Sequence, residues 1–369
     1  MLVGVPKEIK DHEYRVGLTP QSVTELVRSG HKVIIERSAG DGAGFSDADY
    51  SATGAQVVAG ADRLYGEAEL IVKVKEPQPE ECRLLRPGQI LFTFLHLAPD
   101  PDQAIALMSA GVTAIAYETV TDDTGKLPIL TPMSEVAGRM AIQIAAHYLE
   151  KAQGGRGTLL SGTPGVPPAN VAILGAGVSG RNALQMASAI GARVTILNRS
   201  LPALRDIDVL FPGRIITRIA NASAIAEAVA DADVVVGAVL VAGARAPKLV
   251  TREMVHSMKK GAVIVDISID QGGCVETSRP TTHSAPIFRV DNVIHYCVTN
   301  IPGAVPRTST IALNNATLPF VLALANRGAE RAFRENRHLA AGLNTYRGHI
   351  VHEAVARALD MPLEQPQFQ

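Results

Sequence analysis

Six consecutive residues, Gly175-Ala176-Gly177-Val178-Ser179-Gly180, give the spacing G-x-G-x-x-G in the middle of a 369-residue chain. Alone, such a match means little. Here it follows the apolar run 171–174, opens a helical pattern over 178–190, and precedes a second strand pattern that ends at Leu197. Strand, glycine turn, helix and strand form the start of a dinucleotide site. Gly175 permits the tight turn, Gly177 lets backbone approach a pyrophosphate, and Gly180 lets helix and strand pack closely. The first N–H groups of the helix supply donors and positive potential to the phosphates. About 20 residues further on, an acidic side chain usually holds the adenosine ribose 2′-OH. This sequence has Asn198 followed by Arg199. Asn198 still forms hydrogen bonds and lacks the charge that repels a 2′-phosphate. Arg199 can pair with one. The pair leans toward NADP or relaxed choice; the alternative is that Arg199 faces solvent and Asn198 suffices for NAD.

Ligands of open α/β sheets sit outside the carboxyl ends of the strands. Four polar residues stand at such ends. Arg15 lies in the turn after the first strand pattern, Lys75 after LIVKV, His96 at the end of QILFTFLH, and Asp270 shortly after AVIVDI. Each alone reads equally well as a solvated charge or a structural side chain. Lys73 shares a strand face with Lys75, and Asp266 competes with Asp270. As a set they offer two cations for a carboxylate, an imidazole that titrates near neutrality, and a carboxylate in the nucleotide-binding half.

The elements that position these groups alternate. Apolar strands are expected at 2–6, 31–36, 70–76, 89–96, 113–118, 170–174, 193–197, 233–239, 261–267 and 292–298, with helical patterns between several of them. Thr19-Pro20 reads as N-cap and first residue of a helix. Helices are also expected over 134–148, 309–326 and 347–359. Alternating strands and helices with continuous apolar runs imply mostly parallel sheets. The expectation is α/β: two doubly wound Rossmann-like domains separated by a cleft. Residues 1–128 and 306–369 form the substrate domain and 129–305 the dinucleotide-binding domain. The Pro-punctuated stretch 119–133 marks the first boundary.

Composition removes other classes. Formal net charge is -1 and aromatic content is 4% with no Trp, so neither a basic stripe nor stacking platforms for nucleic acid are expected. Cys82, Cys274 and Cys297 have no metal-ligand spacing and read as reduced thiols, so no metal is expected. The N-terminal MLVGVPKEIKDHEYR carries charge at once, and no run of 18 apolar residues occurs, so a cytoplasmic protein without a membrane span is expected.

Longer segments carry a resemblance. V-P-K-E-I-K-x-x-E-x-R-V-G-L-T-P at 5–20, V-K-V-K-E-P at 72–77, F-L-H-L-A at 94–98 and L-T-P-M-S at 130–134 resemble the alanine dehydrogenase family. So do G-A-V-L-V-x-G-x-x-A-P-K-L-V at 237–250, D-I-x-I-D-Q-G-G-C at 266–274 and S-R-P-T-T-H at 278–283. The related transhydrogenase α subunit shares the outline and looks less similar around F-L-H-L-A and I-D-Q-G-G-C. The resemblance implies reversible oxidative deamination of L-alanine to pyruvate and ammonia with NAD, through an iminium and a carbinolamine. It implies Arg15 and Lys75 as substrate ligands, His96 as acid/base and Asp270 as its active-site partner. Ser134, the glycine loop, Val239, Leu240, Ile267, Asp270, Arg279, Val298 and Asn300 fall in its cofactor-contacting segments. It further implies a homohexamer whose substrate domain is built from both chain ends. The family's ribose-binding Asp is Asn198 here, and Ala203 and Ala220 stand where relatives often carry Lys and Ser. Tyr117 and Met133 are candidate pocket walls. The rival functions are a half-transhydrogenase, which needs partners not encoded here, and a silent nucleotide sensor.

Overall fold

A computed structural model describes residues 1–239 and 245–368. The chain divides into two compact units, one of Met1–Met133 with Val305–Gln369 and one of Ser134–Ala304.

The first unit begins with β1 (Leu2–Val5), β2 (Lys32–Glu36), β3 (Gln56–Val58), β4 (Leu70–Val72), β5 (Ile90–Thr93) and β6 (Thr113–Ala116). The order β6-β5-β4-β1-β2-β3 is parallel throughout. The chain runs outward from β1 to β3, then crosses to β4 and runs the other way. The reversal between β1 and β4 opens a crevice at their carboxyl ends. Side chains alternate between two covered faces. Val3, Ile35, Val72 and Phe92 enter one core, and Ile34, Ile71, Leu91 and Ala114 the other. That two-sided burial explains the unbroken apolar runs. The first helix, Pro20–Arg28, starts as expected: the Thr19 side chain accepts from the Ser22 N–H at 3.2 Å, a cap worth about 1 kcal/mol.

The second unit holds β7 (Asn170–Leu174), β8 (Arg193–Asn198), β9 (Ile215–Ile219), β10 (Val234–Gly237), β11 (Val263–Asp266), β12 (Ile287–Val290) and β13 (Val293–Tyr296). Its order is β12-β13-β11-β10-β7-β8-β9, parallel except for the β12/β13 hairpin. Here the reversal lies between β7 and β10.

The chain then returns to the first unit through the helix Pro306–Arg327. This helix is long and apolar enough to cross a membrane. Its Leu313, Val321 and Leu324 instead fill the first unit's core, and Asn314 accepts from the Thr19 N–H at 2.8 Å. Residues 347–359 are not one helix. β14 (Leu343–Tyr346) and β15 (His349–Ile350) form an antiparallel hairpin, and the helix begins only at Glu353. Gly348 at φ +85° makes that turn. β14 adds antiparallel to β6 and completes an eight-stranded sheet.

Two apolar runs end early as strands. β4 stops at Val72 and β5 at Thr93, short of the expected 76 and 96. Each makes one further backbone bond, Lys73 N–H to Phe92 O at 3.1 Å and Phe94 N–H to Val74 O at 3.2 Å, and then carboxylates from distant segments take the N–H groups of Val74, Leu95 and His96.

Candidate active site

Glu8, two residues past Pro6, is buried. Its Oε1 accepts from the N–H of Val74 at 2.7 Å and of Lys75 at 3.4 Å. Its Oε2 meets Lys73 Nζ at 3.2 Å, and Lys73 also donates to Glu81 Oε1 at 2.6 Å. The Tyr65 hydroxyl donates to the same Glu81 oxygen at 3.0 Å. Lys73 is therefore consumed by two carboxylates inside the core. Lys75, two residues on, is half-buried beyond the end of β4 and acts on the Glu76 carboxylate. That separates two lysines the pattern could not. Burial and the neighbouring Glu81 and Glu13 push Glu8 up to about 7 against the pull of Lys73. Burial alone would lower Lys73, but the two carboxylates outweigh it and hold the ammonium above its ordinary value.

Arg15 is buried, and Glu13 grips it. Arg15 Nε donates to Glu13 Oε1 at 2.7 Å and NH2 to Oε2 at 2.6 Å, while the Arg15 N–H reaches Oε1 at 3.0 Å. The NH1 corner lies 3.2 Å from Met133 Sδ. Burial opposes the charge, yet Glu13 prevails and keeps the guanidinium above its usual value. The planar guanidinium fork is thus held by the protein's own carboxylate. Met133 lies against this guanidinium. Tyr117 does not line an open wall: it is fully buried edge-on beneath Phe92 and Phe94.

His96 follows β5 with its side chain 45% exposed. Its φ of +49° is left-handed, which costs a non-glycine residue about 1–3 kcal/mol. Glu118, just past β6, offsets that strain. Its Oε1 accepts from the His96 N–H at 2.6 Å and the Leu95 N–H at 3.2 Å, and Oε2 lies 3.3 Å from the Leu95 N–H. Hydrogen bonds to a charged group contribute about 1.5–3 kcal/mol each, enough to hold the bend. The imidazole stacks on Phe94 with centroids 5.7 Å apart and planes 3° from parallel. Nearby Glu76 is paired with Lys10; burial raises its carboxyl, but Lys75, Lys10 and His96 together hold it below its usual range. Arg15, Lys75 and His96 follow β1, β4 and β5 in the chain, and all three act electrostatically on the Glu76 carboxylate.

In the second unit the glycine loop has the expected form. Gly175 sits at φ +106° and donates to Leu197 O at 2.8 Å. A Cβ there would strike the Ala238 carbonyl, and one on Gly180 would strike the Gly175 carbonyl. A Cβ on Gly177 would meet nothing within 4 Å. Gly175 and Gly180 serve packing, and Gly177 leaves open space in front of the helix N-terminus, as a phosphate requires. Val178 is exposed there, and Ala176 donates to Asn198 Oδ1 at 3.3 Å. Asn198 Nδ2 donates to Ser200 O at 3.3 Å, and Arg199 is exposed. The Val239 N–H donates to Ser268 Oγ at 2.9 Å; Leu240 lies outside the described residues.

Asp270 is exposed in the 3-10 turn Ile267–Gln271. Asp266 is buried beneath it. Its oxygens accept from the N–H groups of Ser268 at 3.1 Å, Cys274 at 3.0 Å and Val275 at 3.2 Å. Burial raises its carboxyl above the ordinary value, against those bonds. Asp266 is the structural partner and Asp270 the displayed one. Arg279 is exposed and lies over the Phe288 ring at 4.5 Å. Val298 is buried, and the Asn300 carbonyl meets His283 Nε2 at 2.8 Å. Ser134, half-buried, is the first residue of this unit. A Cβ on Gly138, one turn later, would strike the Ser179 carbonyl, so this helix lies against the glycine loop. No metal-binding group of His, Cys, Asp or Glu occurs among the described residues.

Sequence reading missed the supporting carboxylates. Glu8, Glu13 and Glu118 each grip the backbone of one displayed side chain, as Asp266 does around Asp270. Nothing marks them locally except a position near a strand end.

Comparison with known proteins gives consistent matches. The family profile described as "Alanine dehydrogenase/PNT, N-terminal domain" matches residues 4–137, and "Alanine dehydrogenase/PNT, C-terminal domain" matches residues 141–353. An alanine dehydrogenase of Halomonas elongata is 56% identical over 361 residues, covering 98% of this chain and 97% of the relative. A solved structure titled L-alanine dehydrogenase superposes with a TM-score of 0.95 at 51% identity, covering 98% of this chain and 99% of that one. A transhydrogenase structure from Sinorhizobium meliloti gives a TM-score of 0.82 at 27% identity over 96% of this chain and 100% of its own.

Proposed function

The chain belongs to the alanine dehydrogenase/PNT family, and from that premise we propose that it catalyses the reversible oxidative deamination of L-alanine to pyruvate and ammonia. What supports this reading is that Arg15, Lys75 and His96 all act on one carboxylate, Glu76. They are two cations for a carboxylate and one imidazole for proton transfer.

Arg15, its orientation set by Glu13, supplies a fixed positive charge for the alanine carboxylate. Lys75 sits beside that carboxylate and, in the reverse direction, steadies the pyruvate carbonyl oxygen. A nicotinamide, when bound, accepts the hydride from Cα. The glycine loop and Asn198 hold its dinucleotide, together with Ser134, Val239, Ile267, Arg279, Val298 and Asn300. His96 takes a proton from the water that adds to the iminium and returns it as the carbinolamine collapses. Asp270 supports the positive charge on nitrogen or orients that water. The working form is a cytoplasmic homohexamer; light scattering is expected to give six times the mass of one chain, and a monomer overturns it.

The cofactor is NAD, with NADP also accepted. Asn198 brings no negative charge against a 2′-phosphate, and Arg199 is an exposed cation next to it. Initial rates of L-alanine oxidation with NAD⁺ and NADP⁺ side by side test both claims. Turnover with both is expected, and Arg199→Ala should lower kcat/KM for NADP⁺ about tenfold or more while sparing NAD⁺. Turnover with NAD⁺ alone would show that Arg199 is a solvent charge. No turnover with either would remove the dehydrogenase reading.

A further inference from the structure

We propose that Glu118 is the positioning residue of His96: its carboxylate fixes the left-handed backbone at the end of β5 and thereby aims the imidazole. The inference rests on His96 being the acid/base.

Three observations carry it. First, His96 is bent where no glycine is present, at φ +49°. A left-handed histidine persists only where its surroundings enforce it. Second, one carboxylate supplies that enforcement, taking the N–H groups of Leu95 and His96 in succession. Those two groups would otherwise continue the β5 ladder, and pairing them there would straighten the chain and turn His96 away. Third, the contact is to backbone. Glu118 Oε1 is 3.9 Å from His96 Nδ1, beyond hydrogen-bond reach, so the imidazole stays unclaimed by Glu118 for proton transfer. Glu118 therefore differs from an orienting carboxylate that bonds the ring itself. The bend has a second brace in Gln103, whose Nε2 donates to Leu95 O at 3.0 Å.

Glutamine at 118 keeps one carbonyl oxygen, which can still take the His96 N–H. Alanine keeps none. A misplacement of about 1 Å at a reacting group costs on the order of 10²-fold in rate. Glu118→Ala is expected to lower kcat about that much, with the alanine KM and the NADH dissociation constant within about threefold of wild type. Glu118→Gln should restore kcat to within about tenfold of wild type. Thermal midpoints and NADH titration report folding in each variant. Where Glu118→Ala does not fold, Glu118→Asp, one methylene too short to reach both N–H groups, is expected to show the same kcat loss.

His96→Ala is measured beside them. If His96→Ala is slow and Glu118→Ala turns over like wild type, positioning by Glu118 is wrong. If Glu118→Gln loses as much kcat as Glu118→Ala, the backbone-acceptor role is wrong and the charge itself matters. If His96→Ala keeps its activity, the acid/base reading fails first, and this inference with it.

Discussion

His96→Ala is expected to lower alanine turnover by roughly 10²–10⁴-fold in both directions, the range for loss of a general acid/base. The fold should hardly notice. The ring is half-exposed and its stacking partner is Phe94 alone. NADH binding should stay within a factor of a few, since the glycine loop and Asn198 belong to the other unit. Stopped-assay kcat, NADH titration and a thermal midpoint separate these effects. Activity within a factor of a few of wild type would end the assignment.

Lys73→Met is expected to have the largest effect on stability. Lys73 is fully buried between Glu8 and Glu81, and the Met side chain fills similar volume without charge. Removing one partner of a buried ion pair costs about 3–5 kcal/mol, because the remaining charge is left uncompensated. Denaturant unfolding measures it; a loss below about 1 kcal/mol, the value of an exposed pair, would mean the cluster is wet. One cation facing two carboxylates also has a pH signature. Glu8 is raised from its ordinary 4.5 to about 7. A carboxyl raised on folding binds its proton more tightly in the folded chain. Its contribution is present in full below about 4.5 and is lost as pH rises through about 7. Stability should therefore fall across that window, and Glu8→Gln should flatten the fall.

The legible parts of this protein were those whose causes lie close together in sequence. The turn at 175–180 announced itself because glycine spacing, strand and helix are all local, and β7 and β8 fell where expected. The strand ends were less legible. LIVKVKE and QILFTFLH look like strand to their last residue. What stops them is Glu8, 66 positions from Val74, and Glu118, 22 positions from His96. No window of sequence shows a bond of that range. Packing on Phe92 and Phe94, more than 20 positions away in sequence, likewise hides the depth of Tyr117. β15 falls inside the helix expected at 347–359 and β14 in no expected element, because four- and two-residue strands are too short to display an alternation.

β14 joins β6 in a sheet whose six parallel strands were made much earlier. During synthesis, β6 emerges with Thr113–Ala116, and its partner edge arrives only at Leu343–Tyr346. At about 5–20 residues per second, that gap lasts on the order of ten to forty-five seconds. For that time the nascent protein carries an open, apolar strand edge while the entire second unit is being made and can fold on its own. The ribosome therefore releases a chain with one finished half and one waiting half. Truncation near the C-terminus would leave the early half permanently open and prone to edge-to-edge aggregation, however intact its own residues.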